Sequence, residues 1–226
     1  MKASFDNIFW AAMNGAQRAQ SAGTDRARRY ARGYSPILAF ADPDQPALDD
    51  LLPHAGADER LYVADWGGAA PPGWKIEVES RMHRMVWTAP RPPSDEPPDA
   101  RPLTTADAAQ AVDLAARTQP GPFGPRTLEL GTYLGCFDAD GRLLAMAGER
   151  AHAPGVREIS GVCTDPAAQG RGLARRLMSE LIRRELQRGE TPFLHVMHTN
   201  THALALYRRM GFETVHEPVV RVVSRG

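Results

Sequence analysis

A short loop rich in small residues precedes a helical pattern, and this combination can bind phosphate. The stretch DPAAQGRGLARRLM places Gly170, Gly172 and Ala174 around arginines. A helix N-terminus presents unpaired backbone N–H groups and a partial positive charge, and glycine lets an anion approach the backbone closely. Gln169 and Arg171 can add further donors. The loop therefore predicts a pyrophosphate site, and a tight strand-to-helix connection without a ligand is the alternative.

Other chemical patterns in the sequence are weaker. The loop lacks the glycine spacing of the dinucleotide fingerprint and the Gly-Lys-Ser/Thr of a Walker loop. His195, His198 and His202 suggest zinc, but the first two are an odd number of residues apart along a strand and so face opposite sides. Cys136 and Cys163 have no metal-ligand spacing, and no His/Asn or His/Asp pair marks Cys163 as a nucleophile. We therefore expect no metal and two free, buried thiols.

The second half of the chain alternates strands with helices after an antiparallel meander. Asp140-Gly141 is a strong hairpin turn signal, and Gly189 and Gly211 end helical patterns. The periodicity predicts helices over residues 104–117, 173–188 and 201–210, and extended segments over 133–137, 142–149, 157–164, 192–198 and 212–223. This order indicates an α/β (α+β) fold with a mixed sheet rather than a doubly wound one.

The first half carries no chemical motif. It predicts helices over residues 8–20 and 24–32 and extended segments over 36–40, 60–64 and 74–87. Prolines in APRPPSDEPPDARP cannot lie inside a helix or a central strand. We therefore predict an N-terminal α/β domain over residues 1–90, a proline-rich linker over 91–102 and a second domain over 103–226.

Composition limits the class of protein. Of the 226 residues 27 are basic and 27 acidic, so the formal net charge is zero and gives no whole-chain attraction to nucleic acid or an anionic membrane. Hydrophobic residues make up 42% and charged residues 24%, as in an ordinary folded protein. No apolar stretch reaches the roughly 18 residues that a membrane span needs. A cytoplasmic protein with no nucleic-acid or membrane partner is expected.

Two ordered motifs resemble the GNAT superfamily of acetyl-CoA-dependent N-acetyltransferases. Gln169-x-x-Gly172-x-Ala174 is similar to the family's acyl-CoA loop, and the strand ending Val162-Cys163-Thr164 leads into it. Asn200-x-x-Ala203-x-x-Leu206-Tyr207-x-x-x-Gly211-Phe212 is similar to the second family motif. The resemblance spans residues 103–223 and implies a mostly antiparallel sheet flanked by helices, preceded by a smaller α/β domain. That first domain matches much less and leaves room for a degenerate GNAT-like copy.

The resemblance implies a binding site for acetyl-CoA as cosubstrate. The family's splayed strand binds pantetheine through its backbone, which implies that Val162 and Thr164 hold the cofactor arm. The loop is expected to bind the pyrophosphate through backbone N–H groups, while Arg171, Arg175 or Arg176 reaches other phosphates. The implied cofactor-binding residues are Val162, Cys163, Thr164, Gln169, Gly170, Arg171, Gly172, Leu173, Ala174, Arg175, Asn200 and Tyr207.

The resemblance also implies catalytic roles. Glu158 stands where some members carry a general-base glutamate, and Glu149, His198 or water are the alternatives. A structural role, with Glu158 paired to Arg157 or a neighbouring strand, is also open. Tyr207 matches the tyrosine that protonates the coenzyme A thiolate, or it only covers the cofactor channel. A backbone N–H near Val162 or Cys163 is the expected oxyanion donor.

These features predict an N-acetyltransferase that acts on a primary amine of a small molecule or peptide by direct attack in a ternary complex. The alternative is a non-catalytic module that binds acetyl-CoA or CoA as a regulator. The acceptor is expected between the loop at residues 118–126 and the final strands. The N-terminal half is expected either to close that groove or to make a dimer contact, which leaves a homodimer open.

Overall fold

The computed structural model describes residues 5–96 and 98–226. Within these residues the chain forms four α-helices and twelve strands, which confirms the mixed, mostly antiparallel α/β fold. The helices are α1 (Ile8–Asn14), α2 (Ala108–Thr118), α3 (Leu173–Gln187) and α4 (Thr201–Met210). The strands are β1 (Ser21–Gly23), β2 (Ala27–Tyr30), β3 (Ile37–Phe40), β4 (Leu61–Ala64), β5 (Trp74–Trp87), β6 (Arg101–Pro102), β7 (Tyr133–Phe137), β8 (Leu143–Ala153), β9 (Val156–Thr164), β10 (Thr191–Met197), β11 (Phe212–His216) and β12 (Val219–Arg225).

The strands form one continuous sheet in the order β1-β2-β3-β4-β12-β5-β10-β9-β8-β7-β6, with β11 added on β5. The long strand β5 joins its two halves. Its first part pairs with β12, and its second part pairs with β10 and β11. The last strand, β12, also pairs with β4 from the N-terminal half. Each half of the chain therefore contributes a strand to the other half. The sheet includes strands from before and after the predicted linker.

Helices cover both faces of the sheet. Leu177, Leu181 and Tyr207 from α3 and α4 pack with Ile159 and Leu194 of the central strands. On the opposite face, α1 packs with Phe193, and α2 packs with Tyr133 and Cys163. Adjacent residues of a strand point to opposite faces of the sheet. On the central strands, one residue therefore packs against α3 and α4, and the next packs against α1 or α2. None of the helices in the described residues is long and apolar enough to cross a membrane.

Two predicted helices differ from the structure. The helix predicted over residues 8–20 ends at Asn14, before Gly15, and the helix predicted over 24–32 is wrong. That segment contains β2, whose four residues are all buried between β1 and β3. Arg29 is buried there because Glu59 forms an ion pair with it. These long-range contacts outweigh the local helical preference of alanine and arginine.

Candidate active site

A wedge between β9 and β10 forms the centre of the candidate site. The two strands run parallel and pair from Val156 and Thr191 up to Ile159 and Leu194, where the pairing stops although both strands continue. Beyond that point β9 remains paired with β8, and β10 remains paired with β5. A bulge at Gly161, whose φ is 63°, turns β9 at the start of the separation. The facing backbone edges are therefore left open to a ligand.

The glycine loop lies at the open end of this wedge, directly after β9. Asp165 anchors it by accepting a hydrogen bond from the backbone N–H of Ala167 at 2.9 Å. The Asp165 carboxylate also accepts from Arg117 at 2.7 Å and from Arg142 at 2.6 Å, and the Arg117 hydrogen bond lowers its pKa. Arg117 and Arg142 thus hold the start of the loop at the C-terminal end of β9.

The loop has the open backbone that an anion site requires. Gly170 and Gly172 have φ values of 77° and 71°, and a Cβ at either position would meet no atom within 4 Å. Gly172 begins α3, and no side chain caps this helix end. The predicted set from Gln169 to Arg175 is thus gathered at an uncapped helix N-terminus. This arrangement fits a pyrophosphate bound by backbone N–H groups.

The arginines near the loop differ in their availability. Arg171 is exposed and has no side-chain partner within the described residues. Arg175 forms an ion pair with Asp95 at 3.0 Å, and Arg176 donates to the backbone oxygen of Glu96 at 3.3 Å. Asp95 also accepts from Ser179 at 2.7 Å, so part of the predicted linker packs along α3. Arg171 is therefore the arginine best placed to meet a phosphate.

Tyr207 lies close to the apex of the wedge, which is the point between Ile159 and Leu194 where the pairing of β9 and β10 ends. Its ring packs in the same apolar cluster as Ile159 and Leu194, the last paired residues of β9 and β10. Burial, with a smaller contribution from the nearby Cys163 thiol, raises the pKa of Tyr207 to about 12. The phenol is therefore a proton donor at neutral pH. Burial also raises the pKa of Cys163 to about 11, which keeps this thiol protonated and unsuited to act as a nucleophile.

Glu158, the predicted base, is fully buried in an ion pair. Both of its oxygens accept from Arg150, at 2.9 and 2.6 Å, and the ring nitrogen Nδ1 of His195 lies 2.7 Å from Oε1. Arg84 donates to Nε2 of His195 at 2.9 Å, so the His195 proton lies on Nδ1 and is donated to Glu158. Burial alone would raise the pKa of Glu158, but the Arg150 charge and these hydrogen bonds lower it to about 2.

The other predicted residues point elsewhere. Glu149 accepts from Arg188 at 2.7 Å, beyond the C-terminal end of α3 and far from the loop. The His198 ring is hydrogen-bonded at 3.0 Å to the backbone oxygen of Arg81 on β5, the side of β10 that faces away from β9. Asn200 caps α4 by accepting from the backbone N–H of Ala203 at 3.1 Å.

Sequence reasoning missed Tyr133, which lies on the face of the sheet opposite Tyr207. Its side chain is buried near Glu158 and Cys163, and its hydroxyl has no hydrogen-bond partner within the described residues. The only sequence signal is the pair Gly148 and Gly161, which leave room for its ring. A single sequence cannot show which side chain such glycines accommodate.

Two clefts lie outside this site. One, of about 510 Å³, lies between α1 and the turn from β8 to β9, and the other, of about 390 Å³, lies beside Asp65 and the turn from β11 to β12. Neither is lined by the wedge or the glycine loop. Within residues 5–96 and 98–226 no group of three His, Cys, Asp or Glu side chains could hold a metal ion.

Comparison with known proteins identifies relatives of this chain. The family described as FR47-like protein matches residues 133–221. N-alpha-acetyltransferase RimI of Mycobacterium tuberculosis (strain ATCC 25618 / H37Rv) is 37% identical over 131 residues, covering 53% of this chain and 81% of that protein. A mycothiol acetyltransferase of Mycobacterium sp. (strain JLS) is 34% identical over 109 residues, or 45% of this chain and only 34% of that relative's length.

The similarity to a solved structure extends over the whole chain. A putative acetyltransferase from the GNAT family of Novosphingobium aromaticivorans DSM 12444 superposes with a TM-score of 0.88. It is 32% identical, and the match covers 98% of both chains. The N-terminal half is therefore part of an arrangement that this second protein shares.

Proposed function

The chain belongs to the GNAT family of acetyltransferases and is an acyltransferase, and we propose that it transfers the acetyl group of acetyl-CoA to a primary amine. The acceptor amine belongs to a small molecule or a peptide and attacks directly in a ternary complex. One observation carries the proposal. β9 and β10 separate beyond Ile159 and Leu194, with an uncapped glycine loop at the open end and the Tyr207 phenol at the apex.

The described residues fit acetyl-CoA, which would supply the activated thioester. Gly170 and Gly172 leave the loop backbone accessible to the pyrophosphate, and Arg171 adds a cation that has no side-chain partner among the described residues. The open edges of Val162 and Thr164 can pair with the amide groups of pantetheine. The cofactor arm then leads from the loop toward the apex. Val162, Thr164 and the residues from Gln169 to Arg175 follow one another along the end of β9 and the loop, whereas the side chain of Asn200 caps α4.

The transfer forms a C–N bond and breaks the C–S bond. A backbone N–H near Val162 stabilises the developing oxyanion, and Tyr207 donates its proton to the departing thiolate. The nitrogen becomes cationic on attack and loses one proton to water, and the phenolate regains one proton from water, so the protons balance. Tyr207 suits this role because its pKa of about 12 keeps the proton available at neutral pH.

Glu158 is a poor direct base in this geometry. We propose that it instead holds the strands around the apex in position. A carboxylate with a pKa of about 2 has little tendency to take a proton from an alkylammonium. Its hydrogen bonds fix Arg150 on β8 and His195 on β10, the strands on either side of β9. The amine is therefore expected to reach the site neutral, having lost its proton to water.

The name of the RimI relative specifies an α-amine, and we propose α-amines as one class of acceptor for this chain. Peptides with a free N-terminus are accordingly the first acceptors to test, followed by small primary amines. The name of the mycothiol acetyltransferase relative supports the inclusion of small molecules. Release of free thiol from acetyl-CoA, confirmed by the mass of the acetylated product, measures the transfer.

Calorimetric titration with acetyl-CoA tests the cofactor site. Gly172→Glu places a carboxylate where the pyrophosphate is expected, so binding should be lost. Gly189→Glu is the matched control, because Gly189 follows α3 with nearly the same φ, 72° against 71°, and with the same open surroundings. It should bind as the wild type does. Equal binding by all three proteins, or none by the folded wild type, would contradict the proposal.

The alternative function is a regulatory module that binds acetyl-CoA without transferring the acetyl group. Tyr207 argues for the enzyme, because a sensor has no need of a protonated phenol at the apex. Tight acetyl-CoA binding with no transfer to any amine in the panel would favour the module.

A further inference from the structure

The hydroxyl of Tyr133, the first residue of β7, is buried without a hydrogen-bond partner within the described residues. The residue is only 1% exposed. Burying a hydroxyl without a partner costs free energy, so such groups are uncommon in folded proteins. Its presence next to the wedge calls for a function.

Two glycines let the Tyr133 ring reach the wedge. A Cβ at Gly148 on β8 would lie 2.1 Å from the ring, and a Cβ at Gly161 on β9 would lie 3.0 Å from it. The side chain therefore starts on β7, crosses β8 and ends over β9, beside the bulge where β9 leaves β10. Phe123, from the loop expected to bound the acceptor, holds the ring edge-on at a centroid distance of 5.7 Å.

The charged neighbours of Tyr133 are already engaged. Arg150 and Glu158 are close enough to influence its ionisation, yet they are hydrogen-bonded to each other. Tyr133 lies on the face covered by α1 and α2, whereas Tyr207 lies on the face covered by α3 and α4. The two phenols therefore lie on opposite faces of the sheet, with the Tyr133 ring between the bulge at Gly161 and Phe123 of the loop expected to bound the acceptor.

We propose that the Tyr133 hydroxyl contacts the acceptor and orients it by accepting a hydrogen bond from the attacking amine. A neutral primary amine has two N–H groups and one lone pair. Engaging one N–H leaves the lone pair free to attack the thioester carbon. Burial raises the pKa of Tyr133 above its ordinary value, so the phenol stays neutral and does not compete as a base. This role rests on the proposed acetyltransferase function.

Tyr133→Phe tests the role because it removes only the hydroxyl and keeps the ring. We expect kcat/KM for a peptide α-amine to fall roughly tenfold, the effect of one lost hydrogen bond. Acetyl-CoA affinity by calorimetry should not change. The unfolding temperature should stay the same or rise, because the variant no longer buries an unpaired hydroxyl. Lower activity without lower stability separates a substrate contact from a packing role.

Tyr30→Phe is the matched control. Tyr30 is also a fully buried tyrosine on the α1 face, but its hydroxyl donates to Gln17 at 2.6 Å. Its loss should lower the unfolding temperature and leave kcat/KM for the amine nearly unchanged. Unchanged kcat/KM in Tyr133→Phe, or a fall in stability matching that of Tyr30→Phe, would overturn the role while leaving the acetyltransferase function intact. Wild-type protein that acetylates no amine would overturn both.

Discussion

The side chains at the apex differ in whether they can give or take a proton near neutral pH. Tyr207 retains its proton, since its pKa is about 12, and Glu158 remains a carboxylate, since its pKa is about 2. His195 donates to Glu158 and accepts from Arg84, so both of its ring nitrogens are engaged. In the proposed mechanism Tyr207 is therefore the donor for the leaving thiolate, and neither Glu158 nor His195 is a ready acceptor for the proton of the amine.

Replacing Tyr207 with phenylalanine should slow the chemical step. The ring would keep its edge-on contact with Phe212, which has a centroid distance of 6.2 Å, so the packing should survive. Loss of the proton donor is expected to lower kcat by ~10²-fold with little change in acetyl-CoA affinity. Steady-state kinetics and calorimetry on the same preparation measure both. A parallel loss of affinity would show instead that Tyr207 mainly covers the cofactor channel.

The pH dependence should follow the acceptor rather than Glu158. Glu158 is ionised at every pH well above 2, so it adds no rising limb between pH 5 and 9. The neutral fraction of the amine grows with pH, and kcat/KM should rise until the pH passes the amine pKa. This limit should lie near ~8 for a peptide α-amine and near ~10 for a lysine side chain. If kcat/KM instead rises over the same pH range for both amines, a base on the enzyme controls the rate.

Helix α3 contains a buried glutamate that should make the stability of the protein fall as the pH rises. Glu185 is fully buried, and neither of its carboxyl oxygens has a hydrogen-bond partner within the described residues. Burial raises its pKa well above the ordinary value, and nearby Glu149 raises it further. The unfolded chain releases this proton at a lower pH than the folded one. Stability is therefore lost as the pH rises from about 4.5 toward the raised pKa.

Glu185→Gln should stabilise the protein at neutral pH, because it keeps the shape of the side chain and removes the titration. Urea unfolding at pH 5 and pH 7.5 measures the difference in free energy, which we expect to be larger at pH 7.5. Glu180→Gln is a control on the same helix, since Glu180 is ion-paired with Arg183 and Arg184 and has a lowered pKa. A loss of stability in Glu185→Gln at pH 7.5 would contradict the account.

Local patterns predicted the elements of the second half well and those of the first half less well. α4 and β7 have the predicted bounds, because capping residues and a strong hairpin turn mark them. The helix predicted over 24–32 is wrong because β2 pairs with β1 and β3 and because its buried Arg29 is ion-paired with Glu59, 30 residues away in the sequence. Motifs alone predicted the glycine loop and Tyr207 as site residues, and their roles remain proposals. The pairing of Glu158 and the position of Tyr133 depend on neighbouring strands that a single sequence does not specify.

The exchange of strands ties the two halves of the molecule together. β5 precedes the predicted linker but pairs with β10 and β11 in the half that carries the wedge. Met85 and Trp87 of β5 pack in the same apolar cluster as Tyr207. Arg84 of β5 donates to His195, which in turn contacts Glu158. The position of the apex thus depends on the N-terminal half, whether or not that half folds as a separate domain.

Deleting residues 1–90 should therefore leave an insoluble or inactive remainder. The truncated chain loses β5, which exposes the edge of β10 and the apolar surface that Met85 and Trp87 cover. It also leaves β12 without either of its neighbours, because β4 and β5 are both removed. Solubility, circular dichroism and thiol release from acetyl-CoA are the measurements, with the full chain as reference. A soluble fragment with unchanged turnover would show that the second half folds alone and that β5 is dispensable for the wedge.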